Sequence, residues 1–406
     1  MTGIENNALG LYISIPFCRS KCTYCNFASG VYPASEHARY VEHLIEDLRS
    51  AGAWAEREGV ELPRRVDTVY LGGGTPSLLA PELLARLFAA MRAEFDLAPT
   101  AEITVECAPG QLADETLEAL AAAGVNRVSL GVQSFIDREA ALSGRLHNRA
   151  MVLDDLRRLR SAGICNINID LIAGLAGQTF ASWEESLATL ADSGVPHTSI
   201  YMLEVDEDSR LGREVMAHGL RYHADSVPTD DAIAQMYSLA IERLKQAGLG
   251  QYEISNFCHS GMESRHNLRY WQRRPYLGVG LDASSMLHKV GNEGVGPVLR
   301  TTTSDDLKAF LAGNELVERT WLSPAQQHEE AWFLGLRLNA GVEVAALERE
   351  FGEAAVAPAL KAVERLAEAG LVVSDGQMVR LTPRGQLLSN EVFQEFLGLA
   401  TTDPAS

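Results

Sequence analysis

Apolar stretches of β-strand character alternate with amphipathic helical stretches along the first half of the chain. The strand-like runs are residues 11–15, 66–71, 103–107, 128–132, 166–172 and 199–205. Apolar residues recur at helical spacing between them, at 40–48, 81–95, 113–123, 151–162 and 182–192. Six β-then-α units in a row predict a parallel sheet with right-handed crossovers. We therefore expect an α/β fold built on a partial (β/α)6, TIM-like barrel.

A closed barrel of eight strands is the alternative, with segments near residues 251–255 and 281–287 supplying further strands. Beyond about Thr320 the pattern becomes helical, at 324–338, 343–351 and 357–369, and two β-like runs around Asp375-Gly376 predict a hairpin. The predicted domains are a core over residues 1–240, an extension over 241–319 and a C-terminal helical, winged-helix-like domain over 320–406.

Size and charge narrow the class of protein. The chain has 406 residues, of which 46% are hydrophobic, and a net charge of −19. It can bury a large core, but its acidity argues against nucleic-acid binding, which requires clustered Lys and Arg. We therefore expect the winged-helix-like segment to have a structural or protein-contact role. Residues 1–7 lack the pattern of a signal peptide, and no apolar run could span a bilayer, so we expect a cytoplasmic protein.

Three of the six cysteines lie within eight residues, at Cys18, Cys22 and Cys25, directly after the first strand-like run. Three thiolates this close can hold three corners of a [4Fe-4S] cluster and leave the fourth iron open to a small molecule. A zinc site is the alternative, but it needs a fourth ligand from elsewhere in the chain.

The Cys-x3-Cys-x2-Cys run, with Tyr24 before its last cysteine, resembles the signature of the radical S-adenosylmethionine (SAM) superfamily. That resemblance implies a [4Fe-4S] cluster whose open iron is chelated by SAM. It also implies reductive cleavage of SAM to a 5′-deoxyadenosyl radical, with the electron supplied by a donor such as a flavodoxin or ferredoxin.

Further motifs resemble the oxygen-independent coproporphyrinogen III oxidase family. They are Gly72-Gly-Gly-Thr75-Pro76, Gly131-Val-Gln133-Ser-Phe135, Asn168-Ile-Asp170-Leu-Ile-Ala-Gly174 and Tyr252-Glu-Ile-Ser-Asn-Phe257. The segment His266-Asn-Leu-Arg-Tyr270-Trp271 is similar to the HemW-type haem chaperone branch of that family.

Polar side chains at the ends of successive parallel strands converge on one cleft, and a glycine-rich loop allows close backbone approach. Each such residue taken alone is consistent with an ordinary turn or strand-end contact. The resemblance assigns a group of them to the SAM pocket: Tyr12, Gly72, Gly73, Gly74, Thr75, Glu106, Gln133, Arg145 and Asp170.

The segment from Arg265 to Arg274 carries four arginines and no acid. Haem needs aromatic surface, cations for its propionates and an axial ligand, which Tyr270 and Trp271, the arginines and His266 respectively could supply. The alternative is a solvated basic face with one satisfied core histidine. The resemblance favours the haem site.

Three departures from the family pattern matter. Phe27 stands where the oxidase branch usually has a further cysteine, which favours the chaperone branch. Ser264 replaces a cysteine common in the chaperone branch, while a thiol occurs at Cys258, and Ser284 replaces a usual histidine. His266 is therefore the best remaining candidate for a haem ligand.

Three functions follow from these motifs. The first is a haem chaperone that passes haem to an acceptor protein, and the second is oxidative decarboxylation of coproporphyrinogen III in porphyrin biosynthesis. The third is another radical SAM reaction on the same scaffold. The SAM-pocket residues fit all three, so the sequence leaves open whether the protein is an enzyme. Phe27 and the His-Asn-x-x-Tyr-Trp motif favour the first.

Overall fold

The computed structural model describes residues 8–291, 295–313 and 316–399, with only the backbone of residues 316 and 317. Residues 1–7, on which the expected absence of a signal peptide rested, lie outside these ranges. None of the helices within them has the length and apolar content that crossing a membrane requires.

The strands are β1 Leu9–Ile15, β2 Arg65–Gly73, β3 Asp96–Cys107, β4 Arg127–Gln133, β5 Asn166–Ala173, β6 His197–Met202, β7 Gly250–Gln251, β8 Asn256–Cys258, β9 Tyr276–Val279, β10 Ser284–His288, β11 Val298–Thr303, β12 Leu316–Leu322, β13 Val342–Glu343, β14 Val372–Ser374 and β15 Met378–Leu381. The helices are α1 Ala34–Glu58, α2 Pro81–Glu94, α3 Asp114–Ala122, α4 Asp137–Leu142, α5 Arg149–Ser161, α6 Phe180–Ser193, α7 Arg210–Met216, α8 Asp230–Gln246, α9 Arg265–Trp271, α10 Leu307–Leu311, α11 Pro324–Leu336, α12 Val344–Phe351, α13 Glu353–Glu368, α14 Pro383–Leu387 and α15 Ser389–Gln394.

Strands β1 to β6 pair in parallel and in sequence order, which confirms the predicted partial barrel. Within the described residues the sheet extends in the order β12-β11-β10-β9-β1 at one edge and β6-β8-β7 at the other. Strand β9 is parallel to β1, whereas β8 and β10 to β12 pair antiparallel with their neighbours. The sheet therefore stays open, and the alternative of a closed eight-stranded barrel is wrong.

The two faces of β1 show how the pattern of the chain builds the barrel. Leu11 and Ile13 are fully buried and belong to the main apolar core, which also contains Leu44 of α1. The intervening Tyr12 faces the opposite way, and its ring stacks on that of Tyr70, with the centroids 6.2 Å apart. Because side chains alternate along a strand, one face packs on the helices while the other lines a polar interior.

Helix α9 seals the N-terminal end of that interior. Its first turn is capped by Glu102 of β3, whose carboxylate accepts the backbone N–H of Arg265 at 3.1 Å and of His266 at 3.0 Å. Arg269, which is fully buried, pairs with the carboxylate of Asp67 in β2 and donates to the backbone carbonyl of Ala8 at 2.8 Å. The helix is thus fixed to the first three strands by charged hydrogen bonds.

The C-terminal part has its own apolar core, which includes Trp332, Val356 and Phe396 and is built from α11, α12, α13 and α15 together with β13 to β15. The predicted hairpin forms from β14 and β15, and Asp375 accepts the backbone N–H of Met378 at its turn. Strand β13 adds to β15, which gives a small antiparallel sheet beside the helices. The expected helical C-terminal fold is confirmed.

Removing the charge of Arg269 should destabilise the protein strongly, because it leaves the Asp67 carboxylate buried without its main partner. We expect Arg269→Met to lower the free energy of unfolding by about 3–5 kcal/mol, measured by chemical denaturation. The control is Arg243→Met, which removes a half-exposed pair with Glu184 and should cost under about 1 kcal/mol. Equal losses of unfolding free energy in the two variants would contradict the proposal that the buried Arg269–Asp67 pair holds α9 against the end of the barrel.

Candidate functional site

A cavity of about 740 Å³ occupies the interior of the partial barrel. Its walls include the thiols of Cys18, Cys22 and Cys25 together with side chains from the parallel strands. Leu387, Ser389 and Asn390 of the C-terminal part also contribute to them. The cavity therefore brings the cysteine segment, the sheet and the C-terminal helices to one place, and its volume is in the range of small-molecule sites.

The cysteine segment is held by its own backbone and by aromatic packing. The N–H of Cys18 donates to the carbonyl of Gly30 at 2.8 Å, and the N–H of Gly30 donates to that of Pro16 at 2.8 Å. Phe17 is fully buried and its ring stacks on His37, with the centroids 3.9 Å apart. These contacts fix the first thiol relative to the end of β1.

The glycine-rich loop forms the seam between β2 and the cysteine segment. The N–H of Gly74 donates to the carbonyl of Ile15, and that of Thr75 to the carbonyl of Phe17, both at 2.8 Å. A Cβ at Gly74 would lie 2.8 Å from the carbonyl oxygen of Phe17, so only glycine allows this approach. The N–H of Gly73 donates to Glu106 at 3.1 Å. These N–H groups are used within the protein and are not available to a ligand.

Arg145 supplies positive charge beside the thiols. Its Nη1 lies 3.4 Å from the sulfur of Cys22, and its Nη2 donates to the carbonyl of Gly131. The hydroxyl of Thr75 lies 3.9 Å from the sulfur of Cys18. Burial raises the pKa of the Cys18 thiol. Metal binding would have to displace that proton, which the nearby guanidinium favours by stabilising the thiolates.

The donor set suits a polynuclear cluster better than a single ion. Across the described ranges, no three His, Cys, Asp or Glu side chains are arranged to hold one metal ion. A zinc site at Cys18, Cys22 and Cys25 would require just such an arrangement. In a cubane cluster each thiolate binds a different iron, and the three thiols need only line one wall of the cavity, as they do.

Glu106 and Asp170 place two carboxylates in the cavity wall. Glu106 accepts from the hydroxyl of Tyr70 at 2.9 Å, and its enclosure in the barrel raises its pKa to about 7. Asp170 accepts from the amide of Asn168 at 2.7 Å and from the hydroxyl of Ser129 at 3.1 Å. Burial also raises the pKa of Asp170. Both carboxylates are acceptors that a ligand amine or hydroxyl could reach.

Gln133 ends β4 in the left-handed region, with φ 66°. Its side-chain oxygen is buried and has no hydrogen-bond partner among the described residues. An unsatisfied buried amide is costly, so this oxygen fits the acceptor side of a ligand site. Since Gln133 lines the cavity together with the thiols, it supports a bound organic molecule beside the cluster position.

The structure brings most of the predicted SAM-pocket residues to the cavity wall: Gly73, Gly74, Thr75, Glu106, Gln133, Arg145 and Asp170. Tyr12 and Gly72 lie behind that wall. A Cβ at Gly72 would lie 2.8 Å from the ring of Tyr70 and 3.0 Å from a carboxylate oxygen of Glu106. Tyr12 and Gly72 therefore support the wall through Tyr70 and do not form its surface.

Of the residues predicted to hold haem, His266 is not open to a ligand in this conformation. His266 is 1% exposed. Its Nδ1 forms a hydrogen bond with the hydroxyl of Thr68 at 3.0 Å, and its Nε2 forms one with the hydroxyl of Tyr270 at 2.9 Å. Burial lowers the pKa of His266 to about 3. Tyr270 packs edge-on against Tyr276, with ring centroids 4.7 Å apart. The sequence alternative of a satisfied core histidine describes this geometry.

The arginines of the same segment also have partners within the protein. Arg265 lies 3.6 Å from the second oxygen of Asp67, and Arg273 bonds Glu350 of α12 at 2.7 Å. Trp271 lies under the guanidinium of Arg337, 4.2 Å from ring centroid to Cζ. The expected propionate partners are thus engaged in joining α9 to the sheet and to the C-terminal part.

Sequence reasoning missed two groups of cavity residues. Arg127 and Ser129 lie on the inward face of β4, where their alternation with buried Val128 and Leu130 was a usable signal. Arg337 joins the wall from the C-terminal part, and no local pattern marks it.

Comparisons with known proteins agree with this geometry. A sequence model described as the Radical SAM superfamily matches residues 12–190, and one described as the HemN C-terminal domain matches residues 322–388. The chain is 36% identical over 386 residues to the heme chaperone HemW of Lactococcus lactis, covering 95% of this chain and 96% of that protein. It is 34% identical to the HemW of Mycobacterium tuberculosis, covering 96% of this chain and 95% of the relative.

Among solved structures, the coproporphyrinogen III oxidase HemN of Escherichia coli, reported as a radical SAM enzyme, superposes with a TM-score of 0.81. The two chains are 23% identical, and the match covers 96% of this chain and 90% of the other. This likeness shows a common fold.

Glu106 should make stability depend on pH. Its pKa is raised from 4.5 to about 7, so the folded protein binds this proton more tightly than the unfolded chain. The free energy of unfolding of wild type minus that of Glu106→Gln is therefore greatest below pH 4.5. We expect it to fall by about 2–3 kcal/mol as the pH rises to 7. Denaturant titrations of the metal-free protein at several pH values, with Glu42→Gln as the surface control, measure this. A difference between wild type and Glu106→Gln that does not change with pH would contradict it.

Proposed function

The chain belongs to the heme chaperone HemW family of the radical SAM superfamily, and on that premise we propose that it binds haem and passes it to an acceptor protein. The main support for this proposal is the extent of the similarity, which is 36% identity along 95% of the chain to a heme chaperone. The match to coproporphyrinogen III oxidase extends to the fold alone, so we do not propose decarboxylation of that substrate.

Cys18, Cys22 and Cys25 would hold a [4Fe-4S] cluster at the wall of the cavity. When bound, the cluster would supply an open iron for SAM and a route for one electron. Arg145 contacts the sulfur of Cys22 at 3.4 Å and would offset the negative charge of the cluster, and the hydrogen bond from Gly74 to Ile15 fixes the glycine-rich loop against the end of β1.

SAM would lie against the residues that line the cavity beside the thiols: Gly73, Gly74, Thr75, Glu106, Gln133, Arg145 and Asp170. Its amino group and ribose hydroxyls are donors, and this wall offers acceptors in the two carboxylates and the free oxygen of Gln133. Tyr12 and Gly72 contribute by holding Tyr70, which bonds Glu106.

The His-Asn-x-x-Tyr-Trp motif would support haem binding indirectly, by positioning residues that line the cavity. His266 and Tyr270 bond each other and fix α9 at the closed end of the barrel. Asn267 of the same helix reaches the cavity wall, and Trp271 supports Arg337, which also lines the cavity. Axial ligation by His266 itself would require its ring to leave Thr68 or Tyr270.

The remaining proposals concern organisation and partners. We propose a core over residues 1–240, an extension over 241–319 and a C-terminal domain over 320–406. The separate apolar core between Ala331 and Phe396 supports the last of these. The acceptor of haem is a protein, and an electron donor such as a flavodoxin or ferredoxin would reduce the cluster.

A single preparation can test the proposed function. After anaerobic reconstitution we expect the wild type to contain iron and sulfide and to bind haem in an optical titration. It should release no carbon dioxide from coproporphyrinogen III. A wild type that fails to bind haem, or that decarboxylates the porphyrinogen, would refute the proposal. Combined serine substitution of Cys18, Cys22 and Cys25 should abolish the iron and sulfide, whereas Cys165→Ser, at an exposed cysteine, should keep them.

The role of His266 can be separated from ligation by comparing two variants. His266→Ala removes two buried hydrogen bonds, so it should lower thermal stability and weaken haem and SAM binding together. His266→Gln keeps a donor and an acceptor and should restore most of both. In both variants the Soret band of bound haem should match wild type. A changed Soret band in a variant that is stable and binds SAM normally would instead identify His266 as the iron ligand.

A further inference from the structure

We propose that Arg127 is the anchor for a carboxylate of a ligand held in the inner part of the cavity. The inference rests on the proposed function only for the identity of the candidate ligands, SAM and haem. The site itself follows from the position of this guanidinium and from its lack of a partner.

Arg127 lies deep in the barrel. It is the first residue of β4, whereas Gln133 is the last, so their backbones are about 20 Å apart along the strand. Its side chain is 2% exposed and lines the same cavity as the cluster thiols. A ligand that reaches Arg127 must therefore extend inward from the cysteine end.

Arg127 has no partner of its own. Throughout the described part of the chain, no hydrogen bond or ion pair is formed by its side chain, and its Nε is buried and unsatisfied. Two other arginines differ: the buried Arg269 pairs with Asp67, and the partly buried Arg145 bonds Cys22 and Gly131. Burying an unpaired cation is expensive, and the cost is removed when an anion binds it.

The nearby carboxylates are already satisfied by other groups. Glu106 accepts from Tyr70 and from the backbone of Gly73. Asp170 accepts from Asn168 and Ser129. Among the described residues neither carboxylate forms an ion pair with Arg127, whose charge acts on both from a distance and opposes the effect of burial on their pKa values. Its guanidinium therefore keeps hydrogen-bonding capacity for a ligand.

The positive charge of Arg127 affects other titratable groups in the barrel. Burial is the main cause of the lowered pKa of His197 and of His266; the charge of Arg127 adds to it at His197, and the charges of Arg269 and Arg127 add to it at His266. A planar guanidinium in such an enclosed site matches a carboxylate, which it can bind through two parallel hydrogen bonds. An added anion would be attracted, while an added cation would be repelled.

Two ligands of the proposed function carry carboxylates, namely haem in its propionates and SAM in its methionine moiety. Because SAM would chelate the open iron at the cysteine end through that moiety, a haem propionate is the group that the position of Arg127 favours, and SAM is the comparison. The test compares each with an analogue that lacks the carboxylate: decarboxylated SAM for SAM, and haem dimethyl ester for haem. Dissociation constants are measured for wild type and Arg127→Met, with the cluster reconstituted. Arg157→Met, at a residue exposed on α5, serves as the control.

We expect Arg127→Met to weaken binding of the anchored ligand by about tenfold or more, and its analogue by less than about twofold. Selective loss of SAM binding identifies the methionine carboxylate as the anchored group, and selective loss of haem binding identifies a propionate. Equal effects on ligand and analogue in both pairs, or no effect in either, overturn the inference.

A folding defect would not obscure the result. Arg127→Lys keeps the charge but loses the two-pronged geometry, and the same comparison with analogues applies to it. Wild type that binds SAM but no haem would refute the proposed function, and the SAM comparison would still decide the role of Arg127. Wild type that binds neither would refute both.

Discussion

Charged groups inside the parallel sheet need partners from elsewhere in the chain, and this requirement shapes the whole barrel. Asp67 lies near the N-terminal end of β2, Glu102 of β3 pairs with the adjacent Thr68, and both carboxylates are satisfied by α9. Because these contacts fill that end of the barrel, the cavity is reached from the cysteine end. Glu106, further along its strand, is free to serve a ligand because Tyr70 and Gly73 already hold it in place.

The sequence was a reliable guide wherever the signal is local. Most of the six parallel strands alternate apolar residues, which pack on the helices, with polar residues, which face the interior, and the three cysteines lie within eight residues. The edge strands could not be predicted in the same way. Strands β7 and β8 have two and three residues, too few for any periodicity. They exist because β8 pairs with the edge of β6 and β7 pairs with β8.

The basic segment around α9 shows why a local reading of charge fails. Four arginines without an acid between them are typical of an anion-binding surface. Their partners lie far away in sequence: Arg269 and Asp67 are 202 residues apart, and Arg273 and Glu350 are 77 apart. No pattern within the segment could reveal these pairs. The family resemblance predicts that the motif holds haem, and the structure shows His266 and the arginines of the motif bonded within the fold.

Arg127 presents the opposite case. It is a lone basic residue at the start of a strand, and the alternation of that strand places it on the inward face without showing that it lacks a partner. In the fold it is the buried cation that the described chain leaves unpaired, while Arg269 is neutralised. A folded protein keeps such a group only if something offsets its cost. The arginines of α9 are paired within the protein and are therefore poor candidates for ligand contacts. Arg127 is buried without a partner, and for the same reason it is a good candidate.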